Sequence, residues 1–372
     1  MNEDMRTRAA LYPYRKEYFP LVKYFEEFQE KYILSDVIAP EGYGLSGRDV
    51  AFAVRQEPMG LMVQNALDIT ADWMTLLVIE PEEKEEALWS ECINYIRQAL
   101  ESGKRVEYYC SDRKHIPQEV LRWSQMKSYN LTFHMAEDTI KGNAFADRFH
   151  VKSEILDVPF ILFGGTVQEA DVMETMLIFA LELQKQGMNC LLIANDPIYQ
   201  LIGADSVRYI IKDKTLEPAE KVQQVNWMMK DLEMGLAPDV ILLEAPDALM
   251  TYNEFAPNGY GLETYMVSQA HQPDYLICNL PCDLFQVNMI EMISSALEKK
   301  LGCGIDAAGI SNVVIDAMDV MQSQKISIVR MDEEMVEHKY ALCKQISSIP
   351  VFRKKKEDIA GICSMLGWTG EV

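Results

Sequence analysis

The sequence predicts an α/β protein of two domains, each built on a parallel sheet. Short apolar runs alternate with segments of helical periodicity along nearly the whole chain, as in a sheet with helices on its faces. At 372 residues the chain exceeds the length at which a single core keeps growing. Periodicity lapses in the polar stretch "KGNAFADRFHVK" (Lys141–Lys152). A domain boundary is expected there, dividing 1–150 from 151–372.

In the first domain "RAALYPY" reads as a strand and "KEYFPLVKYFEEFQEKY" as a helix, followed by the strand-like "LSDVIAP" and the glycine-rich "EGYGLSGRDVAFA". "WMTLLVIEP" precedes a helix in "EEKEEALWSECINYIRQALESG". Its Leu88, Cys92, Tyr95, Ile96 and Ala99 share one face; acids open it and Gly103 closes it. "RVEYYC" is a further strand and "QEVLRWSQMKSYN" a further helix. This alternation predicts a Rossmann-like or flavodoxin-like fold. In the second domain the strand candidates are "PFILF", "NCLLIA", "VRYII", "DVILLEA", "DYLICN", "NVVIDA" and "ISIVRM". A helix with Val172, Met176, Phe179 and Leu183 on one face joins the first two, and "NMIEMISSALEKKLG" points Met289, Ile293, Ala296 and Leu297 inward.

Composition narrows the function classes. Apolar residues make up 49% of the chain, enough for a core in each half, without a run of 18 that would span a membrane. The start, "MNEDMRTRAALYPY", has no apolar signal core, so a cytoplasmic location is expected. A formal charge of −22, from 57 acids and 35 bases, repels nucleic acid and anionic membranes and favours cationic partners. The basic run "RKKKE" (Arg353–Glu357) reads as a solvated helix start. Eight cysteines form no CxxC pair, and even "CNLPC" (Cys278, Cys282) has poor ligand spacing; reduced structural thiols are expected and no metal centre.

In open α/β sheets ligands gather at the carboxyl ends of the strands, so the polar residues there are the site candidates. They are Gly164, Gly165 and Thr166 in "FGGTVQEADVMET", then Asp196 beside Asn195, then Glu244, then Asn279 and Asp283. Their order resembles P-loop NTPases of the class that includes nitrogenase iron protein and dethiobiotin synthetase. That resemblance implies the Walker-B acid for Glu244, the acid after the second strand for Asp196, and a base-reading pair in Asn279 and Asp283. The loop departs from GxxxxGK[ST]: Ala170, Asp171 and Val172 stand where Gly, Lys and Ser/Thr belong, and no Lys or Arg occurs between Lys152 and Lys185. A phosphate about 4 Å from one such acid, at an effective dielectric of ~20, meets about 4 kcal/mol of repulsion. The helix dipole returns only ~0.3–2 kcal/mol. The pocket therefore has the wrong sign for triphosphate. Glu169, Asp171 and Glu174 stand where the lysine should be, and three readings stay open: Asp171 and Glu174 as first-turn acids on the solvent face with Gly164 and Gly165 in a tight turn, a non-standard nucleotide site, and a site for a cation or basic peptide made from the same acids.

Other signals are weaker. "GYGLSGRD" (Gly42–Asp49) has only a loose dinucleotide-loop pattern, and "APNGYGLETY" (Ala256–Tyr265) is a lid or a plain connection. The five histidines show no catalytic spacing.

Several stretches together resemble a clostridial family of peptide maturation system proteins: "ALYPYRKEYFPLVKYFEEFQEKY", "VIAPEGYGLSGRDV", "VPFILFGGTVQEADVMETML", "PDVILLEAPDALM" and "PDYLICNL". The resemblance implies an accessory role beside a radical SAM maturase in handling a ribosomally made, cysteine-rich precursor peptide. The chain has no CxxxCxxC triad, so it is not itself the maturase. The alternative is a nucleotide-dependent enzyme using ATP or GTP with Mg²⁺. No other cofactor is expected, and the oligomeric state stays open between monomer and homo-oligomer.

Overall fold

The computed structural model describes residues 6–81, 86–110, 113–135 and 153–367. The expected boundary at Lys141–Lys152 lies outside the described residues. The chain forms two compact units, Met1–Lys141 with Asp196–Tyr209, and Gly142–Asn195 with Ile210–Val372. The stretch Asp196–Tyr209, inside the expected second domain, thus groups with the first unit.

The first unit carries six parallel strands: β1 (Thr7–Tyr12), β2 (Tyr32–Ile38), β3 (Val63–Gln64), β4 (Thr75–Ile79), β5 (Arg105–Cys110) and β6 (Asn130–Met135). Their order, β3-β2-β1-β4-β5-β6, is the Rossmann arrangement rather than the flavodoxin one. The turn after β1 is no phosphate-binding glycine loop. It holds Pro13 and the buried Tyr14, whose hydroxyl donates to Val50 O at 2.9 Å. Gly42, Gly44 and Gly47 follow β2 instead, all at positive φ.

The expected helix over "KEYFPLVKYFEEFQEKY" breaks into a 3-10 turn (Lys16–Tyr18), α1 (Phe19–Lys23) and α2 (Phe25–Phe28), and Tyr32 already opens β2. Tyr24 leaves helical geometry at φ −108°, ψ 13°, and the two short helices bury Phe19, Leu21, Val22 and Phe25. One face of the sheet packs on α3 (Glu86–Glu101): the predicted stripe Leu88, Cys92, Tyr95, Ile96 and Ala99 joins Tyr12, Val78 and Tyr108 in one core. After α4 (Gln118–Trp123), the remaining piece of the unit is a 3-10 turn (Pro197–Ile202) packed against β5, followed by β9 (Asp205–Ser206).

The second unit begins with β7 (Phe160–Gly165), α5 (Val172–Lys185) and β8 (Cys190–Ala194). The run "VRYII", expected as a strand, turns into α6 (Arg208–Ile211); an apolar run this short fits a buried helix as well as a strand. Then come α7 (Pro218–Leu236), β10 (Val240–Glu244), α8 (Leu262–Ala270), β11 (Tyr275–Leu280), α9 (Val287–Leu301) and β12 (Ala307–Ile310). The chain ends with β13 (Val313–Ile315), α10 (Ala317–Ser323), β14 (Ile328–Arg330), α11 (Glu333–Ile346), β15 (Val351–Phe352) and α12 (Lys356–Met365).

Six of the unit's strands run parallel in the order β15-β12-β11-β7-β10-β8, a P-loop NTPase-like sheet with β7 between β11 and β10. The runs "NVVIDA" and "ISIVRM" do not join it. They form β13 and β14, a separate antiparallel pair with α10 between them. β12 supplies a strand the sequence concealed: a Cβ on Gly309 would lie 2.5 Å from Asn279 Oδ1 and 2.7 Å from Phe352 Cζ, so close packing selects glycine over a β-former. On α9 the buried stripe is Ile290, Ile293, Leu297 and Leu301; Ala296 is exposed, and Met289 only half-buried. On α5 the predicted Val172, Met176, Phe179 and Leu183 are all buried, and Phe179 meets Phe163 and Phe352 edge to face.

Candidate functional site

At the end of β7 the glycines serve close packing. A Cβ on Gly164 would lie 2.4 Å from Leu249 Cδ2, and one on Gly165 2.6 Å from Val167 O. The backbone that follows bonds to protein. Gly165 O accepts from Leu249 N–H at 2.9 Å, and Thr166 N–H donates to Asn279 O at 3.3 Å. Thr166 O accepts from Asn258 Nδ2 at 3.2 Å. Asn279 Nδ2 donates at 2.8 Å both to Ala170 O and to Thr175 Oγ1. Asn279, expected in a base-reading pair, is thus buried and braces the loop from below.

Asp171 ends the loop in the left-handed region at φ 57°, and its carboxylate turns inward. Oδ2 accepts from Ser311 Oγ at 2.7 Å and from Lys354 Nζ at 2.9 Å, while Oδ1 accepts from Arg330 Nη1 at 3.0 Å. Lys354 Nζ also donates to Glu174 Oε2 at 2.7 Å, and Arg330 Nη1 to Asn312 Oδ1 at 2.7 Å. Both acids are largely buried, with side-chain exposures of 9% for Asp171 and 2% for Glu174. Burial opposes the charge on Asp171, but Lys354 and Arg330 outweigh it and hold its carboxyl well below the usual range. Burial likewise works against the Lys354 ammonium, yet Asp171 and Glu174 hold its pKa above the ordinary lysine value.

Two expectations are corrected here. Asp171 and Glu174 are not solvent-facing first-turn acids, and the run "RKKKE" is no wholly solvated helix start, because Lys354 reaches the phosphate-loop position. Two cations balance two of the loop's three carboxylates, while Glu169 stays exposed, so most of the negative sign inferred from the loop's own residues is offset. Chain order conceals the cation that space supplies.

Above the loop lies a small apolar cluster. Val167 and Ala170 pack with Ala256, Ile315 and Val320, joined by Tyr252, Leu284 and Ile326. These side chains cover the loop from which a P-loop would point its N–H groups at phosphate. The Thr166 hydroxyl is buried without a hydrogen-bond partner. With Lys354 and Arg330 already paired and an apolar cover in place, these residues do not fit a nucleoside triphosphate with Mg²⁺ in this conformation.

The other candidates make contacts of their own. Glu244 closes β10 opposite Phe163 of β7 and accepts from Asn195 N–H at 2.9 Å. Asp196 belongs to the first unit, where its carboxylate caps the 3-10 turn by accepting from Ile198 N–H at 3.0 Å. Asp283 accepts from Ile315 N–H at 3.4 Å, and burial pushes its carboxyl above the usual range.

Ala256–Tyr265 is pinned down. Asn258, Gly259, Tyr260 and Gly261 all take positive φ. Lys300 Nζ donates to Leu249 O at 2.8 Å and Tyr260 O at 2.7 Å. Asp247 accepts from Thr264 N–H at 2.8 Å and Glu263 N–H at 3.2 Å, satisfying the open first turn of α8. Sequence reasoning missed Lys354, Arg330, Ser311, Asp247 and Lys300. The one signal in the sequence was the basic run, and nothing in its spacing pointed to the loop.

Comparison with protein-family models finds no match, and comparison with characterised proteins finds none either. Among solved structures, a DUF1611 family protein from Anabaena variabilis is similar over 99% of this chain and 100% of its own, with a TM-score of 0.58 and 12% identity. At that identity the likeness shows a shared fold. A GTPase from Pyrococcus abyssi and chloroplast FtsY from Physcomitrella patens each cover 57% of this chain, at 10% and 15% identity and TM-scores of 0.30 and 0.31, too low to carry an argument. They are covered over 96% and 66% of their own lengths. Among the described residues no helix is long and apolar enough to cross a membrane.

Proposed function

We propose that this chain is an accessory protein in the maturation of a ribosomally synthesised, post-translationally modified peptide, holding the precursor peptide or the partner radical SAM maturase without efficient hydrolysis of nucleoside triphosphate. The observation that carries the non-hydrolysing part is the Lys354 ammonium bound to both Asp171 and Glu174. The cation that would serve a phosphate is occupied by protein carboxylates. An acidic surface, with a formal charge of −22, favours a basic peptide or a basic face of a partner enzyme.

The test is co-purification of the tagged chain from its own cells with a cysteine-rich precursor peptide and with a radical SAM maturase, in buffer without nucleotide. Retention of either at micromolar protein is expected; loss of both overturns the reading. A second reading, a nucleotide-dependent enzyme, has one observation in its favour: Glu244 ends the strand next to the phosphate-loop strand, where a carboxylate orders Mg²⁺ or water. Phosphate release from ATP or GTP that disappears in Glu244→Gln would establish it.

A further inference from the structure

We propose that Val313–Arg330 is an autoinhibitory cover over the phosphate loop, that Arg330 is its latch, and that an arginine-bearing apolar peptide segment takes the latch's place when the cover lifts. The identity of that guest rests on the functional reading above; the cover and the latch do not.

The cover is joined to the unit at a neck and by two bonds beside it: Val313 O accepts from Cys282 N–H at 2.7 Å, and Ile315 N–H donates to Asp283 Oδ1 at 3.4 Å. The chain leaves β12 through Ser311 and Asn312 and returns where Met331 N–H donates to Asn312 O at 2.7 Å. Its strands pair only with each other, so lifting it breaks no bond of the main sheet. Its inner face is short: Val313, Ile315 and Val320 are buried, and Ile315 and Val320, with Ile326, pack in one cluster with Val167, Ala170 and Ala256. Its outer face shows Met318, 69% exposed, and Met321, 54% exposed. So α10 offers the loop Val320 and little else, and elements with few buried contacts open at low cost.

Electrostatics choose the guest. Arg330 Nη1 reaches Asp171 Oδ1 at 3.0 Å, and Lys354 already serves both Asp171 and Glu174. Arg330 stands next to the neck, and turning its side chain off Asp171 withdraws one of the two cations and leaves Asp171 and Glu174 against one ammonium. A phosphate is repelled from that arrangement, whereas a guanidinium restores the balance by the bond that Arg330 made. Beside Asp171 the cluster left behind is Val167, Ala170 and Ala256 with Tyr252 and Leu284, which accepts an apolar side chain next to the arginine in place of Ile315 and Val320. The strand "ISIVRM" is therefore an internal copy of what the site accepts.

The experiment uses the full chain and the synthetic amidated peptide ISIVRM. In Arg330→Gln, amide exchange over 164–176 should rise about tenfold above wild type, with circular dichroism unchanged. The peptide should bind Arg330→Gln at least tenfold more tightly than it binds wild type, and its Arg-to-Gln analogue should not bind. Equal exchange in the two proteins, or equal binding of the two peptides, overturns the proposal. If Arg330→Gln does not fold, Arg330→Lys, which keeps the charge and loses the planar fork, should show intermediate exchange, and wild-type exchange there overturns the latch. Failure of ISIVRM leaves the co-purification test of the functional reading untouched.

Discussion

The ammonium of Lys354 lies 2.7 Å from the carboxylate of Glu174, a residue 180 positions earlier in the chain. The contact joins the segment between β15 and α12 to the first turn of α5, and Asp171 shares the same ammonium at 2.9 Å. Removing one partner of a largely buried ion pair leaves an uncompensated charge, which costs about 3–5 kcal/mol. Lys354→Met should therefore lower stability by about 3–5 kcal/mol in urea unfolding. Adding Glu174→Gln should restore part of the loss, with a coupling energy of about 1 kcal/mol or more. A loss below about 1 kcal/mol, or strict additivity, contradicts a buried pair.

Acid and alkali should each weaken the cluster. The folded-state pKa of Asp171 is depressed, so its contribution is present above the unfolded value of about 3.9 and is lost as pH falls through the folded value. Lys354 is raised, so its contribution is complete below about 10.4 and is lost as pH rises through its folded value. Melting temperature against pH should fall on both sides of that window. Asp171→Asn should flatten the acid limb, and an unchanged limb would place the acid-sensitive group elsewhere.

Glu244→Ala tests a strand-end carboxylate. It removes the acceptor of Asn195 N–H, a bond of 2.9 Å, and should cost about 1–3 kcal/mol while the fold persists. Far-ultraviolet circular dichroism at 25 °C checks this. Loss of the folded signal would mean that the second unit depends on Glu244 to fold.

Backbone geometry separates two glycines. Both Gly60 and Gly261 have positive φ, but a Cβ on Gly60 meets open space, while one on Gly261 would lie 2.6 Å from Leu249 O and 2.7 Å from Ala248 O. Gly60→Ala should cost about 1–2 kcal/mol, from the left-handed backbone alone. Gly261→Ala adds overpacking of roughly 1–3 kcal/mol. Equal urea midpoints for the two variants would show that the clamped turn relaxes freely.

Much of the fold was legible because its signals are local. Strand runs such as "PFILF" and "DVILLEA", and the helical stripes of α3 and α5, bury the residues their spacing selected. Failures came where tertiary packing overrode pattern. The expected first helix breaks at Tyr24, "VRYII" turned helical, and "NVVIDA" with "ISIVRM" paired with each other. The candidate site was half legible. Gly164, Gly165, Thr166 and Asn279 meet at one loop, but acids in a first turn look alike in sequence whether they face water or a lysine. Lys354 stands 183 positions from Asp171, and no periodicity spans that distance.

Titration calorimetry of the wild-type chain with Mg·ATP and Mg·GTP tests the central claim most directly. The cations beside the loop are held by Asp171 and Glu174 and its mouth is covered, so neither nucleotide should give saturable heat, and neither should move the melting temperature. Saturable binding, with the ~2.7 kcal/mol of stabilisation that ligand at 100 times its Kd confers, would contradict it.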